Sequence, residues 1–243
     1  MKIASSVFKT KATIAENLVV MKEQMIEAKK NGADMILFSE CQLSGFRVGE
    51  NVIHDRKLAR SIKDKEIQEI CALAKELKLA VGLGFLELHD GGFYDSYAII
   101  EKKGTIREVY RRLTKTWHED VRGNMYCEGE SIYSLVFDGV CFSILLCGDL
   151  YDDIACAMVN ATDCDICFIP MARSLGKKAT QEAWEKEEKE YIKQMAKLNT
   201  NVLLVNQYME EGEYFGGVSA ICLDGTVESR LDIYTEGIHY LEF

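Results

Sequence analysis

Apolar and polar positions alternate along the chain in two clear rhythms. "MKIASSVF" opens as a strand, and a helical rhythm follows in which Ile14, Leu18, Met21, Met25 and Ala28 share one face. Thr13 and Glu16 have the spacing of a capping box at its head, and Gly32 suits its end. "MILF" (35–38) is apolar throughout, as a strand covered on both faces would be. Ile67, Ile70, Cys71, Ala74 and Leu77 predict a second helix near 60–78. Strands are expected over 80–88, 94–101 and 105–110, the last two joined by Lys102-Lys103-Gly104. Asp138-Gly139 separates "YSLVF" from "VCFSILL", a strong hairpin signal. A short helix at about 152–161 precedes the strand "DICFIP". A longer helix at about 180–198 carries Trp184, Tyr191, Met195 and Leu198 on one side. "NVLLVN" and two strands around Asp224-Gly225 complete the pattern.

Helices that alternate with strands, with hairpins interleaved, predict an α/β sandwich with helices outside and mixed sheets inside. With one proline and no Gly/Ser-rich run there is no linker, so residues 1–243 read as a single domain. The net charge of −10 argues against nucleic-acid binding. No window has the apolar length of a membrane span, and the first residues leave no room for a secretory apolar region before Lys9 and Lys11. Nine cysteines, an odd number, read as reduced thiols, and a cytoplasmic location is expected.

Two reactive side chains stand directly after apolar strands: Glu40 after "MILFS" and Cys147 after "FSILL". That is the sheet edge where α/β proteins place ligands. A helix beginning near Asp152 would favour a thiolate at Cys147 through its backbone N–H groups, whereas Asp149 and its acidic neighbours oppose it. Taken alone, Cys147 is more simply a core residue, and Lys115 in "RRLTKTWHED" a solvated charge. Cys164 and Cys167 form a Cys-x-x-Cys but lie in an apparent strand with no second pair at zinc spacing, so they read as core. The four histidines read as surface or structural.

In order along the chain, these segments resemble the nitrilase superfamily of carbon–nitrogen hydrolases. "ADMILFSECQLSGF" is similar to its glutamate motif and "CFSILLCGDL" to its cysteine motif, while "DICFIPMA", Trp184, "NVLLVNQ" and "FGGVSAICLDGTV" follow its later pattern. The resemblance implies a four-layer α-β-β-α sandwich, often paired as a homodimer, and a catalytic triad of glutamate, lysine and cysteine. Glu40 and Cys147 take the outer places. Lys115 is chosen for the lysine, from its interval to Gly129 and the "KTWHED" context, with Arg112 as its rival after Tyr110 and Arg111. The implied activity is that of an amidase or carbamoylase working through a thioester on a small amide-type substrate. Gly148 would supply an oxyanion-binding backbone N–H, and no metal or cofactor is called for.

The sequence also departs from the family. Gly148 and "YDDI" stand where an aromatic residue and Arg-Phe-Pro-Glu are common, and Arg122 stands where many members carry a second glutamate, for which Glu119 and Glu128 are candidates. The rival readings are a pseudoenzyme of the same fold acting as a binding or regulatory subunit, and a thiol-dependent redox or metal protein.

Overall fold

The computed structural model describes residues 1–48, 51–118, 125–176, 179–210 and 213–243. The first half of the chain forms β1 (Lys2–Val7), α1 (Ile14–Lys30), β2 (Met35–Leu37), α2 (Val52–Leu58), α3 (Lys65–Leu77), β3 (Ala80–His89), β4 (Gly92–Ile100) and β5 (Ile106–Arg111). The second half continues with β6 (Leu135–Phe137), β7 (Val140–Ile144), α4 (Asp153–Asn160), β8 (Ile166–Met171), α5 (Gln181–Met195) and β9 (Asn201–Asn206). A short pair, β10 (Tyr208–Met209) and β11 (Tyr214–Phe215), is followed by β12 (Val218–Ile221), β13 (Val227–Leu231) and β14 (Gly237–Glu242).

Two six-stranded mixed sheets result, ordered β14-β1-β2-β3-β4-β5 and β13-β12-β9-β8-β7-β6. Their central strands, β1-β2-β3 and β7-β8-β9, run parallel, and the outer pairs are antiparallel. Three apolar layers hold the stack together. The first lies between α1 and α3 and the first sheet, and includes Leu18, Met21, Ile67, Ile36 and Leu83. The second fills the space between the sheets with Ile3, Leu37, Tyr97, Phe142, Phe168 and Leu203. The third seats α4 and α5 on the second sheet through Val159, Trp184, Tyr191, Ile169 and Leu204. This is the expected four-layer α-β-β-α sandwich.

Local sequence explains most of these elements. Thr13 and Glu16 form the expected capping box, and all five apolar residues of the α1 stripe are buried. Asp138 and Gly139 both take left-handed backbone, which the β6–β7 hairpin turn requires. Four elements were not predicted: α2, β14 and the two-residue strands β10 and β11. Helix α2 has seven residues, too few for a periodic signal, and depends on the Asn51 side chain accepting from His54 N. Strand β14 is a half-buried edge that pairs with β1 from the other end of the chain, a match with no local cue. Cys164 precedes β8, contrary to the strand reading, and packs in the same apolar layer as Cys167. All nine cysteines are free thiols, and no helix among the described residues is long and apolar enough to cross a membrane.

The two parallel cores bring the ends of β2 and β7 to the same edge of the sandwich. One glycine sets the depth of the β2 end. A Cβ on Gly84 in β3 would stand 2.3 Å from Ser39 O and 2.7 Å from Cys41 N, so only glycine lets the backbone carrying Glu40 cross so close over β3.

Candidate active site

Glu40 begins the turn after β2 and is fully buried. Its backbone carbonyl accepts from Gln207 Nε2 at 3.2 Å, and Gln207 Oε1 accepts from Phe46 N at 2.9 Å, so the residue after β9 pins both ends of this turn. Cys41 next to it adopts φ +49°, a left-handed conformation uncommon outside glycine. The Glu40 carboxyl accepts a hydrogen bond from Arg112 Nη1 at 3.0 Å.

Arg112 follows β5 and is itself buried. Its Nε donates to Thr114 Oγ1 at 3.1 Å and its Nη2 to Thr116 Oγ1 at 2.6 Å, so the planar head is held on three sides. Burial works against its charge, but Glu40, Cys147 and Asp95 around it more than compensate and hold the guanidinium in its charged form.

Cys147 opens the 3-10 turn Cys147–Tyr151 after β7, at φ +44°. A non-glycine residue in this region costs about 1–3 kcal/mol, and such strain gathers at functional sites. Its side chain is partly exposed. Gly148, next in the turn, has room for Arg112 only because it has no side chain: a Cβ there would meet Nη2 at 2.2 Å and Thr116 Oγ1 at 2.8 Å.

Asp149 ties these pieces together. Buried in the same turn, it accepts from Leu113 N at 3.1 Å, Thr114 N at 2.9 Å and Tyr110 OH at 2.6 Å. It also accepts from Leu146 N at 3.3 Å. One carboxylate therefore binds the cysteine turn to the segment carrying Arg112. Burial pushes its carboxyl up, while Tyr110, Arg112 and Thr114 pull it back.

The electrostatics of Glu40 follow from its neighbours. Burial pushes its carboxyl well above the usual range, the charges of Cys147 and Asp95 push further, and Arg112 opposes them. Tyr214 on β11 is pushed up to about 12 by burial and by Glu40, Cys41 and Cys147, which puts it beside the same cluster. Cys147 and Gly148 also line a cavity of about 240 Å³ with Tyr151, Arg173, Glu187 and Tyr191. Arg173 Nε donates to Glu187 Oε1 at 2.6 Å in its wall, and the Tyr151 and Tyr191 rings meet edge to face, 5.5 Å between centres.

A buried carboxyl, a fixed cation and a strained thiol at one sheet edge can deprotonate a thiol, attack a carbonyl carbon and hold an oxyanion. The whole sequence agrees with a known pattern, for residues 2–241 match the family model described as carbon-nitrogen hydrolase. The chain belongs to the carbon-nitrogen hydrolase family. Relatives of the chain include an (R)-stereoselective amidase from a Pseudomonas species, 28% identical over 117 residues. That match covers 48% of the chain and 40% of the amidase. An arylacetonitrilase from Aspergillus oryzae is 31% identical over 101 residues, 38% of the chain and 30% of the nitrilase. The chain thus matches well under half the length of these relatives. Among solved structures, a carbon-nitrogen hydrolase from Helicobacter pylori G27 superposes with a TM-score of 0.83 at 13% identity, over 99% of this chain and 87% of that one. It has the nitrilase fold, as expected.

Within the carbon-nitrogen hydrolase fold, Glu40, Cys147 and Gly148 come together as their strand-end positions imply. Lys115 does not join them. It begins the 3-10 turn Lys115–Trp117 and is exposed, whereas its rival Arg112 is the cation that reaches Glu40. The expectation for Lys115 is corrected on that geometry. Glu128 accepts from His118 Nε2 at 3.0 Å, while Glu119 and Arg122 lie outside the described residues. Sequence reasoning missed Asp95, Gln207 and Tyr214. An acid in the apolar strand "YDSYAII" was the one available signal for Asp95.

Proposed function

We propose that the protein hydrolyses a non-peptide carbon–nitrogen bond in a small amide-type substrate, with Cys147 as nucleophile, Glu40 as general base and acid, and Arg112 in place of a lysine. The observation that carries this reading is the contact of the fully buried Glu40 with Arg112, beside the Cys147 thiol at the mouth of a cavity. Glu40 takes the thiol proton as Sγ attacks the carbonyl carbon. Arg112 and a backbone N–H of the Cys147–Tyr151 turn face the oxyanion, each such donor being worth about 3 kcal/mol. Glu40 then protonates the leaving nitrogen and activates the water that cleaves the thioester. The 240 Å³ cavity is smaller than the roughly 300–1,000 Å³ of drug-sized sites and favours a short acyl group.

The test is ammonia release from a panel of amides, carbamoyl compounds and nitriles, by the wild type and by Cys147→Ala. Turnover of amides or carbamoyl compounds by the wild type alone is expected, and equal turnover by Cys147→Ala defeats the reading. One observation favours a second reading, a catalytically altered binding subunit: an arginine holds its charge and cannot pass a proton as a lysine can. Under that reading mass spectrometry finds no covalent acyl adduct on Cys147 with any amide or ester.

A further inference from the structure

Arg112 meets two carboxyls. Asp95, on β4, is 1% exposed, and its Oδ2 lies 3.5 Å from the same Nη1 that reaches Glu40 Oε1 at 3.0 Å. The two acids are therefore separated by no more than the sum of those distances. Glu40 Oε2 and Asp95 Oδ2 are both buried without a hydrogen-bond partner among the described residues. The other oxygen of Asp95 accepts from Cys41 Sγ at 3.5 Å.

We propose that Glu40 and Asp95 hold one proton between them in the resting site, and that Asp95 is a positioning residue that sets the charge on Glu40. Two ionised carboxylates would leave a net negative charge around one guanidinium, in a place closed to water and next to a thiol that must lose its own proton. A single shared proton brings the pair and Arg112 to neutrality. It also answers the two unpartnered oxygens, because a protonated carboxyl donates where a carboxylate can only accept. Like-charged carboxyls in one site behave in this way generally. The groups facing the pair are Cys41 from its own turn, Arg112 after β5, Cys147 after β7 and Tyr214 on β11, and Arg112 is the cation among them. Burial, then Cys147 and Asp95, push the Glu40 carboxyl in the direction this arrangement needs.

For the reaction proposed above, on which this step rests, the pair supplies what arginine cannot. The S–H bond of Cys147 breaks, its proton joins the pair, and the S–C bond forms as the carbonyl π electrons move to oxygen. The pair is then neutral, so the charge of Arg112 is released to face the oxyanion. When the C–N bond breaks, the proton passes from Glu40 to the leaving nitrogen, and the pair returns to one proton.

Infrared difference spectroscopy at neutral pH tests the proposal through the carbonyl stretch of a protonated carboxyl, with circular dichroism confirming the fold of each variant. A band present in the wild type and missing from both Glu40→Gln and Asp95→Asn is expected. Asp95→Ser serves as a second variant should asparagine not be accommodated. A band unchanged in both variants, or lost in Glu40→Gln alone, overturns the proposal. A second readout is alkylation of Cys147 followed by peptide mass spectrometry, where Asp95→Asn should move the acid limb of the rate to lower pH. An unmoved limb counts against a role for Asp95 beyond structure. Both readouts are independent of turnover. Ammonia release with an unchanged band refutes the shared proton and leaves the hydrolase reading standing, and a lost band without hydrolysis does the reverse.

Discussion

Gly148→Ala is the smallest change that should disable the site. The added methyl would stand 2.2 Å from Arg112 Nη2, 3.3 Å from Cζ and 2.8 Å from Thr116 Oγ1. Ordinary contact needs about 3.5 Å or more, so the guanidinium must retreat by more than an ångström. Gly148 does not have the left-handed backbone of its neighbour Cys147, so alanine costs little there in the main chain. The effect is therefore steric and falls on Arg112. Its bonds to Thr116 at 2.6 Å and to Glu40 at 3.0 Å cannot both survive, and a hydrogen bond to a charged group contributes about 1.5–3 kcal/mol. A fall in unfolding free energy of that size is expected in urea titrations. Misplacement by about 1 Å can cost on the order of 10²-fold in rate, which ammonia release would read. The decisive experiment is a double-mutant cycle with Arg112→Lys, which removes Nη2 and relieves the clash. Gly148→Ala should cost markedly less stability in the lysine background. The same cost in both backgrounds refutes the steric argument.

Three further outcomes follow from the same geometry. Glu40 keeps its proton in the folded state at pH values where the unfolded chain has lost it, so the folded state binds more protons and stability falls as pH rises from about 4.3 through the raised folded value. The slope is at most about 1.4 kcal/mol per pH unit. Glu40→Gln should flatten that stretch of the stability–pH curve, and an unaltered slope would show that Glu40 is not its source. Asp149→Ala leaves the N–H groups of Leu113 and Thr114 and the hydroxyl of Tyr110 without their acceptor. At about 1–3 kcal/mol for each orphaned donor, it should lower the denaturant midpoint more than any other single change at the site, and a loss below about 1 kcal/mol contradicts the bridging role. Lys115→Ala, on an exposed turn, should change stability by no more than about 0.5 kcal/mol and leave ammonia release near wild type. A large loss of turnover would return Lys115 to the site.

What the sequence disclosed and what it hid divide along the same physical line. Glu40 and Cys147 were legible because each ends an apolar run, and a parallel strand can only present its last residues at the sheet edge. The sandwich with helices outside and sheets inside was legible because helical and strand segments carry different periods, whereas its four layers were implied by the family resemblance. The choice between Arg112 and Lys115 was a register problem three residues wide, and the interval to Gly129 misled. Gly129 N in fact donates to Arg112 O at 2.8 Å, and a Cβ on Gly129 would stand 2.2 Å from Arg111 O. That glycine therefore packs against the arginine segment. Asp149 was expected to oppose a thiolate, yet its oxygens are engaged by Leu113, Thr114 and Tyr110, contacts that join residues more than 30 apart and that no local pattern encodes.

The chain's departures from the family pattern account for one another. A glycine in place of an aromatic residue after the cysteine looked like a sign of altered chemistry. Its Cβ would occupy the position of Arg112 Nη2, so a planar guanidinium and a bare glycine are two halves of one packing solution. The same guanidinium carries a charge that no step of a reaction can remove. A buried permanent cation needs a matching anion, and Glu40 cannot remain that anion while it accepts a proton. With Asp95 within 3.5 Å of the same nitrogen, the proposed pair carries one negative charge in the resting site, and the oxyanion takes over as the matching anion once the pair has accepted the thiol proton. Arg112 thus requires Gly148 for space and Asp95 for charge. Restoring a lysine at Arg112 would relax both requirements together.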